Sequence, residues 1–97
     1  GWYVVGAFRL ELTTHLRLEL IGCVSAEGLT MRARLFDLTA VAPVESMQAS
    51  LTALTDTVAY SARVELTGNR VYQIQVEVTG AEGDDKFGVV RSAAPTV

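Results

Sequence analysis

The sequence contains very little cysteine, histidine and proline. Among its 97 residues there are one cysteine, one histidine and two prolines. A single cysteine cannot close a disulfide within the chain, and one cysteine with one histidine falls short of the four ligands of a zinc site. Cys23 lies at the end of an apolar run, so we expect a buried free thiol rather than a reactive one. The cysteine count leaves the redox compartment open.

Positive charge and long apolar segments are also scarce. The net charge is −3 and no cluster of lysine and arginine interrupts the chain, so we expect no nucleic-acid partner. The longest apolar stretch falls far short of the ~20 residues that cross a bilayer, and no signal-peptide pattern is present. We therefore expect no membrane insertion. Gly1 in place of methionine is expected of a processed product, an excised domain or a tag remnant.

What the sequence does contain is a repeated alternation of apolar and polar side chains, which is typical of half-buried β-strands. With 49% hydrophobic and 20% charged residues, the chain has the composition of an ordinary globular domain. The side chains predicted to face the core are Phe8, Leu10, Leu12, Leu16, Leu18, Leu20, Tyr60, Ala62, Val64, Leu66, Tyr72, Ile74, Val76 and Val78. The sequence predicts an all-β fold, an antiparallel two-sheet β-sandwich of seven or eight strands. We expect a single domain over residues 1–94, with 95–97 as a tail.

Glycines and polar residues predict where the strands end. We expect a bulge or bend at Gly6, a turn over Ser25–Gly28 and a tight turn at Gly68–Asn69. The run from Phe8 to Leu20 has no glycine or proline, but its charge pattern breaks near Thr14. It is therefore predicted to form two strands that meet at a loose turn.

The middle of the chain breaks the simple pattern. Residues 29–35 place apolar side chains at odd positions, whereas Phe36 and Leu38 continue at even positions, so a β-bulge is predicted near Leu35. Pro43 predicts a loop or an edge strand that crosses between sheets. Residues 44–57 fit both helical and strand spacing. We favour a strand, because a lone helix would interrupt an otherwise all-β order.

A polar stretch near the C-terminus predicts a hairpin loop over residues 80–86 and a closing strand over 87–91. The loop carries the only local cluster of hard oxygen ligands, Glu82, Asp84 and Asp85. Calcium binds six to eight oxygens, and three carboxylates in one loop are too few without partners elsewhere. We favour a solvated turn, with a calcium site as the alternative.

The spacing of the reactive side chains does not indicate a catalytic site. His15 would need Ser25 or Cys23, together with an orienting carboxylate, to converge on one point. The candidates for a paired-carboxylate glycosidase are Glu11, Glu19, Glu65 and Glu77. Each of them lies in an alternating strand, which is typical of ion pairing across a solvated sheet. We expect no catalytic residue, no cofactor and no enzymatic activity.

The aromatic residues are the remaining candidates for a binding function. Trp2 and Tyr3 would suit a carbohydrate platform or a partner contact, although aromatic side chains also commonly cover one end of a core. Tyr72 follows a tight turn on the apolar side of its strand. A tyrosine in that position commonly tethers a sandwich corner through its hydroxyl, so we expect a structural role.

The runs Met31–Thr39 and Leu66–Val76, with Ser46 between them, resemble a pattern found in small bacterial and phage β-sandwiches of jelly-roll or immunoglobulin-like type. The resemblance covers roughly residues 30–94. Such modules occur in virion and cell-surface proteins and as appendages to secreted enzymes. The resemblance implies no catalytic residue.

These observations favour a structural, assembly or adhesion module of a virion, cell surface or secreted complex. We expect the partner to be another copy of the chain or a larger protein assembly, and exposed strand edges are the expected means of attachment. The segment Trp2–Val5 is a candidate strand donor. The alternative is a carbohydrate-binding module from a larger secreted enzyme, with a glycan as its partner.

Overall fold

The computed structural model describes all residues from 1 to 97 and consists of β-strands without any helix. The eight strands are β1 (Tyr3–Leu10), β2 (Thr14–Val24), β3 (Thr30–Asp37), β4 (Ala42–Leu51), β5 (Thr57–Tyr60), β6 (Val64–Leu66), β7 (Arg70–Thr79) and β8 (Gly88–Thr96). They form two antiparallel sheets, so the predicted sandwich is confirmed. The strand favoured over a helix for the segment after Pro43 is confirmed as well. No helix that could cross a membrane is present.

The first sheet has the order β1-β7-β3-β4. In the second sheet β2 is central, and it pairs with β8 along one side and with β5 and β6 along the other. The backbone amide of Ser61 donates to the carbonyl of Leu18 at 2.9 Å, which places the link between β5 and β6 beside β2. The strands with free backbone groups on one side are therefore β1, β4, β5, β6 and β8.

The core lies between the sheets and is filled by the inward side chains of both. Its fourteen buried residues are Leu18, Leu20, Val24, Leu29, Met31, Ala33, Leu35, Met47, Ala49, Leu51, Leu66, Tyr72, Ile74 and Val76. Burying a side chain of the size of leucine contributes roughly 1.5–3 kcal/mol relative to exposure. The alternation in β2, β3, β4 and β7 is the sequence signal that produces this core.

Most connections carry the chain from one sheet to the other. Only β3 and β4 are both consecutive and paired. The turn at Gly68–Asn69 is confirmed, with Asn69 at a φ of 60°, but it joins β6 in one sheet to β7 in the other. The hairpin predicted over residues 80–86 is wrong for the same reason, because β7 and β8 belong to different sheets.

The parity change predicted at Phe36 does not occur. β3 pairs with β7 in unbroken register, so Phe36 stays on the outer face, while Asp37 occupies the inward position and is 6% exposed. The irregularity lies in β4 instead, since Arg34 pairs with Gln48 whereas Phe36 pairs with Pro43. A carboxylate is tolerated at this inward position because it has hydrogen-bond partners. The pattern of apolar residues could not predict it, since those partners are not apolar.

Three other inward predictions are wrong. Leu12 is 77% exposed because it lies in the short link between β1 and β2. Tyr60 is 46% exposed and pairs with Glu19 on the outer side, while Ser61 is buried beside Leu18. From the Tyr60–Glu19 pair to the Val64–Leu16 pair, this segment advances by one residue more than β2 does. The extra residue returns Val64 to the inward side, as predicted. Ala62 is exposed within this irregular link.

The ends of several strands agree with the glycine pattern. The register of β1 against β7 shifts between Val4 and Gly6, which confirms the predicted bulge. The turn after β2 is confirmed, with Gly28 at a φ of 86°. β8 continues to Thr96, which pairs with Arg17, so the tail predicted for residues 95–97 is corrected to Val97 alone.

Candidate interaction surface

The reactive side chains are dispersed over the molecule. His15 lies at the start of β2, is exposed, and places its Nε2 atom 3.5 Å from Glu65 Oε2. Cys23 is eight residues further along the same extended strand, roughly 26 Å away at about 3.3 Å per residue. No group of three or more histidine, cysteine, aspartate or glutamate side chains is placed to hold a metal ion.

The thiol of Cys23 is half-exposed, so the prediction of a buried thiol is wrong. Gly22 and Val24 occupy the inward positions, and a period of two therefore sends Cys23 to the outer face beside Val89. Gly22 is required by the close approach of β8, because a Cβ atom there would collide with the Val89 carbonyl. The thiol forms no hydrogen bond with a basic side chain.

Ser25 has a structural role at the end of β2. Its hydroxyl donates to the Asp85 carbonyl at 2.6 Å and accepts from the Phe87 amide at 2.8 Å. These two bonds hold the segment before β8 against the turn that follows β2. The hydroxyl is thus engaged with backbone and not with His15.

Two of the four candidate glutamates form ion pairs, and only the pair of Glu77 joins neighbouring strands, as the alternation predicts. Glu11 accepts from Arg9 at 2.8 Å, Glu77 pairs with Arg32, and Glu65 lies beside the histidine at the start of β2. Glu19 has no such partner. Because the four carboxylates occupy separate sites, they do not form a catalytic pair.

The acidic loop before β8 exposes its three carboxylates to solvent. Asp85 Oδ2 accepts a hydrogen bond from Lys86 Nζ at 3.2 Å. This bond and the nearby positive charge lower the pKa of Asp85. Glu82 and Asp84 have no ion-pair partner in the structure, and the three side chains do not gather around a common point.

Trp2 and Tyr3 lie on opposite faces of the first sheet. The indole of Trp2 packs on the outer face, where the Arg34 guanidinium carbon is 4.0 Å from its ring centroid. Tyr3 pairs with Val76 on the inner side and is 73% exposed at the open rim of the sandwich. The two aromatic side chains therefore do not form a joint platform.

Tyr72 tethers a corner of the sandwich, which confirms its predicted structural role. Its hydroxyl donates to the Thr67 carbonyl at 2.7 Å, and its ring stacks on Phe8 with centroids 5.6 Å apart. Burial of the ring, with the nearby Asp37 carboxylate, raises the pKa of Tyr72. The hydroxyl thus serves as a hydrogen-bond donor to the backbone, and the ring serves in packing.

The charged side chains on the outer face of the first sheet have partners within the chain. Arg34 Nε donates to Gln75 Oε1 at 2.8 Å, and Gln75 Nε2 donates to Gln73 Oε1 at 3.1 Å. Beside them the Arg32–Glu77 ion pair bridges β3 and β7, although Arg32 Nε itself has no hydrogen-bond partner. A face whose charges are paired in this way suits contact with water.

The outer face of the second sheet differs, because its centre is apolar. We define this second-sheet face by the outward side chains of β2 and their neighbours on β5 and β8. They are Arg17, Glu19, Ile21, Cys23, Val58, Tyr60, Val89, Ser92, Ala94 and Thr96. Val58 is 49% exposed and Tyr60 is 46% exposed. A soluble β-sheet usually has polar residues at such positions.

Two charged residues of the second-sheet face lack partners within the chain. Arg17 and Glu19 are half-buried, and neither forms an ion pair or a side-chain hydrogen bond. The Arg17 guanidinium lies 3.8 Å from the centroid of the Tyr60 ring, and its Nε atom is buried without a hydrogen-bond partner. Every other half-buried or buried charged side chain in the structure has a polar partner.

The free strand edges are poorly suited to pairing with another strand. β1 carries the bulge between Val4 and Gly6, and β4 carries Pro43 at its register shift. β8 skips one residue at Arg91 and contains Pro95. β5 and β6 are only four and three residues long. Bulges, prolines and short lengths are the devices by which proteins prevent edge-to-edge association.

A cavity of about 390 Å³ opens between the edges of β1 and β8. Tyr3 and Val5 line it from β1, and Phe87 and Val90 line it from the opposite side. Met31 of the core lies at its base and is fully buried. This is the side on which the two sheets are least closed over the core.

No protein-family model, curated protein or solved structure matches the chain.

Proposed function

We propose that the chain is a non-catalytic structural or adhesion module that binds protein through its second-sheet face. The observation that carries the proposal is the difference between the two outer faces. On the first sheet every half-buried charged side chain has an ion-pair or hydrogen-bond partner, whereas the second sheet leaves the half-buried Arg17 and Glu19 without one, beside the exposed Val58 and Tyr60. Partly apolar surface with unpaired polar groups is characteristic of a protein interface.

The distribution of reactive groups supports a binding role over catalysis. General acid–base chemistry needs a base within hydrogen-bond reach of the proton that it moves, and nucleophilic chemistry needs a base beside the nucleophile. His15 lies beside Glu65, the Ser25 hydroxyl donates to the Asp85 carbonyl, and Cys23 is a half-exposed free thiol, so the three do not converge on one point. The resemblance to bacterial and phage sandwich modules points in the same direction. It favours a virion, cell-surface or secreted location.

The alternative of carbohydrate binding has less support from the geometry. Sugar platforms need an open aromatic face, but the Trp2 ring is packed against Arg34 and Tyr3 points the other way. Trp2 is the only tryptophan, so its fluorescence reports directly on any ligand that stacks there.

Two measurements distinguish these functions. Light scattering over a range of protein concentrations detects assembly, and titration with soluble glycans while Trp2 fluorescence is recorded detects sugar stacking. We expect assembly and no quenching by glycans. A chain that remains monomeric and whose fluorescence is quenched saturably by a glycan would replace the proposal with carbohydrate binding.

A further inference from the structure

We infer that the partner of the second-sheet face is a second copy of this chain, related by a two-fold axis, with Arg17 of each copy beside Glu19 of the other. The inference rests on the proposed function, because it names the partner of the same surface. It depends on three observations: the sign and position of two unpaired charges, the apolar surface around them, and the condition of the strand edges.

The unpaired charges are self-complementary. Arg17 and Glu19 have opposite signs and lie on the same face of β2, separated by the inward-facing Leu18. Burying an arginine or a glutamate without a partner costs free energy, and the cost is recovered when an opposite charge arrives. A two-fold axis generates the Arg17–Glu19 contact twice, so one copy of the chain supplies everything that the other lacks.

The surroundings of these charges have the composition of an interface centre. The guanidinium carbon of Arg17 lies 3.8 Å from the centroid of the Tyr60 ring, and this contact reduces the side-chain freedom that would be lost on binding. Arginine and tyrosine are enriched where interfaces are fully desolvated. Ile21 and Val58 adjoin them as a register pair and add apolar area.

The dimensions of the molecule are sufficient for such a dimer. Its longest principal extent is 41 Å, and β2, which runs along the middle of the second-sheet face, has 11 residues and is about 36 Å long at about 3.3 Å per residue. A strand of this length is compatible with the roughly 800 Å² that each partner buries in an interface of standard size.

The strand edges explain why the contact is face to face. Association through an edge would require an unbroken strand with free backbone groups, but bulges or prolines interrupt β1, β4 and β8. The remaining edges are too short. A contact through the side chains of the second-sheet face needs no such strand.

The test uses two charge reversals, Arg17→Glu and Glu19→Arg, studied separately and mixed. We expect the wild type to sediment as a concentration-dependent dimer. Each variant alone should have a dissociation constant at least about tenfold higher, since both symmetric contacts become repulsive. An equimolar mixture should recover a heterodimer, because every contact again joins opposite charges.

Controls and a second readout make the result specific. Arg9→Glu and Glu45→Arg reverse charges on the first sheet and should leave the dimer unchanged. Far-ultraviolet circular dichroism confirms that each variant is folded. The alkylation rate of Cys23, whose thiol lies on the same face, should fall as the wild-type concentration rises.

The possible failures of this inference and of the proposed function differ. A dimer that is insensitive to both reversals would overturn the assignment of the face while leaving an assembly role. A wild type that remains monomeric at every concentration, with Cys23 alkylated at a constant rate, would overturn the second copy as partner. If a glycan also quenches Trp2 fluorescence saturably, carbohydrate binding replaces the assembly role as well.

Discussion

The carboxylate of Asp37 is the most informative single residue for stability. Its Oδ1 atom accepts from the amides of Thr39 at 2.9 Å and Ala40 at 3.0 Å, and its Oδ2 atom accepts from Arg70 at 2.7 Å. Burial by itself would raise the pKa of Asp37. The amide hydrogen bonds and the Arg70 charge outweigh burial, so that the pKa lies below its ordinary value of 3.8. The folded state therefore favours the ionised form.

This depressed pKa predicts a pH dependence of stability. As the pH falls, Asp37 of the unfolded chain takes up a proton before Asp37 of the folded chain does. The contribution of Asp37 to the free energy of unfolding is therefore complete above its ordinary pKa of 3.8, and it is lost as the pH falls through the lower pKa of the folded state. We expect the free energy of unfolding of Asp37→Asn to lie below that of the wild type at neutral pH. The difference should narrow in acid. Urea unfolding at a series of pH values measures it. The matched control is Asp84→Asn, an exposed and unpaired carboxylate, and a difference that stays constant with pH would contradict the prediction.

The hydroxyl of Tyr72 provides a second test at the scale of one residue. Tyr72→Phe removes the bond to the Thr67 carbonyl and leaves the ring in place, so we expect a loss of about 1 kcal/mol in the free energy of unfolding. Chemical denaturation measures this loss, and the denaturant slope should not change. Tyr3→Phe removes an exposed hydroxyl and should change stability by less than about 0.5 kcal/mol. Equal effects of the two substitutions would rule out the corner tether.

Among the elements, β1 allows strand donation to be separated from face packing. Its first half is already paired with β7 of the same chain, so residues 2–5 are used within the sandwich. Deleting residues 1–6 should uncover Ile74 and Val76, lower the melting temperature and cost at least about 2 kcal/mol. The oligomeric state should be retained.

Thermal unfolding followed by circular dichroism and sedimentation of the truncated chain measure the two effects. Removal of Val97, which lies beyond β8, is the control for the loss of a chain end. Dissociation of the dimer by the N-terminal deletion, at a temperature where the chain is still folded, would support strand donation instead.

The elements also show what alternation can and cannot predict. β2, β3 and β7 were predictable because a core filled from two sides needs apolar side chains at every second position. The pattern failed at Asp37 and Ser61, where polar side chains occupy inward positions with hydrogen bonds from distant segments. It also could not predict that a short turn joins two sheets, since the same residues make a hairpin or a crossing.

The candidate site was only partly accessible from the sequence. Arg17 and Glu19 lie in an alternation that predicts cross-strand ion pairs, and nothing local shows that their cross-strand neighbours are Thr96, Tyr60 and Ala94. A signal was nevertheless present in the outward positions Ile21 and Cys23, where the alternation gives way to a continuous apolar run. Such runs indicate a strand that is buried on both faces.

At the scale of the whole molecule, the two outer faces differ in how their charged side chains are paired. The first sheet presents hydrogen-bonded polar side chains to water, and the second presents the partly apolar face with unpaired charges. In the proposed dimer both second sheets become interior layers, and the network of Arg32, Arg34 and Glu77 remains outside. A two-fold contact of this kind is closed, because each copy uses the same face and leaves no second half of it free.

The scarcity of hairpins has a kinetic consequence. Since β3 and β4 are the only consecutive strands that pair, nearly every other ladder joins segments far apart in the chain. Closing those long loops loses entropy before any contact compensates for it. The protein is therefore expected to fold slowly for its size, on the order of milliseconds to seconds. During that interval its alternating strands are exposed and vulnerable to aggregation.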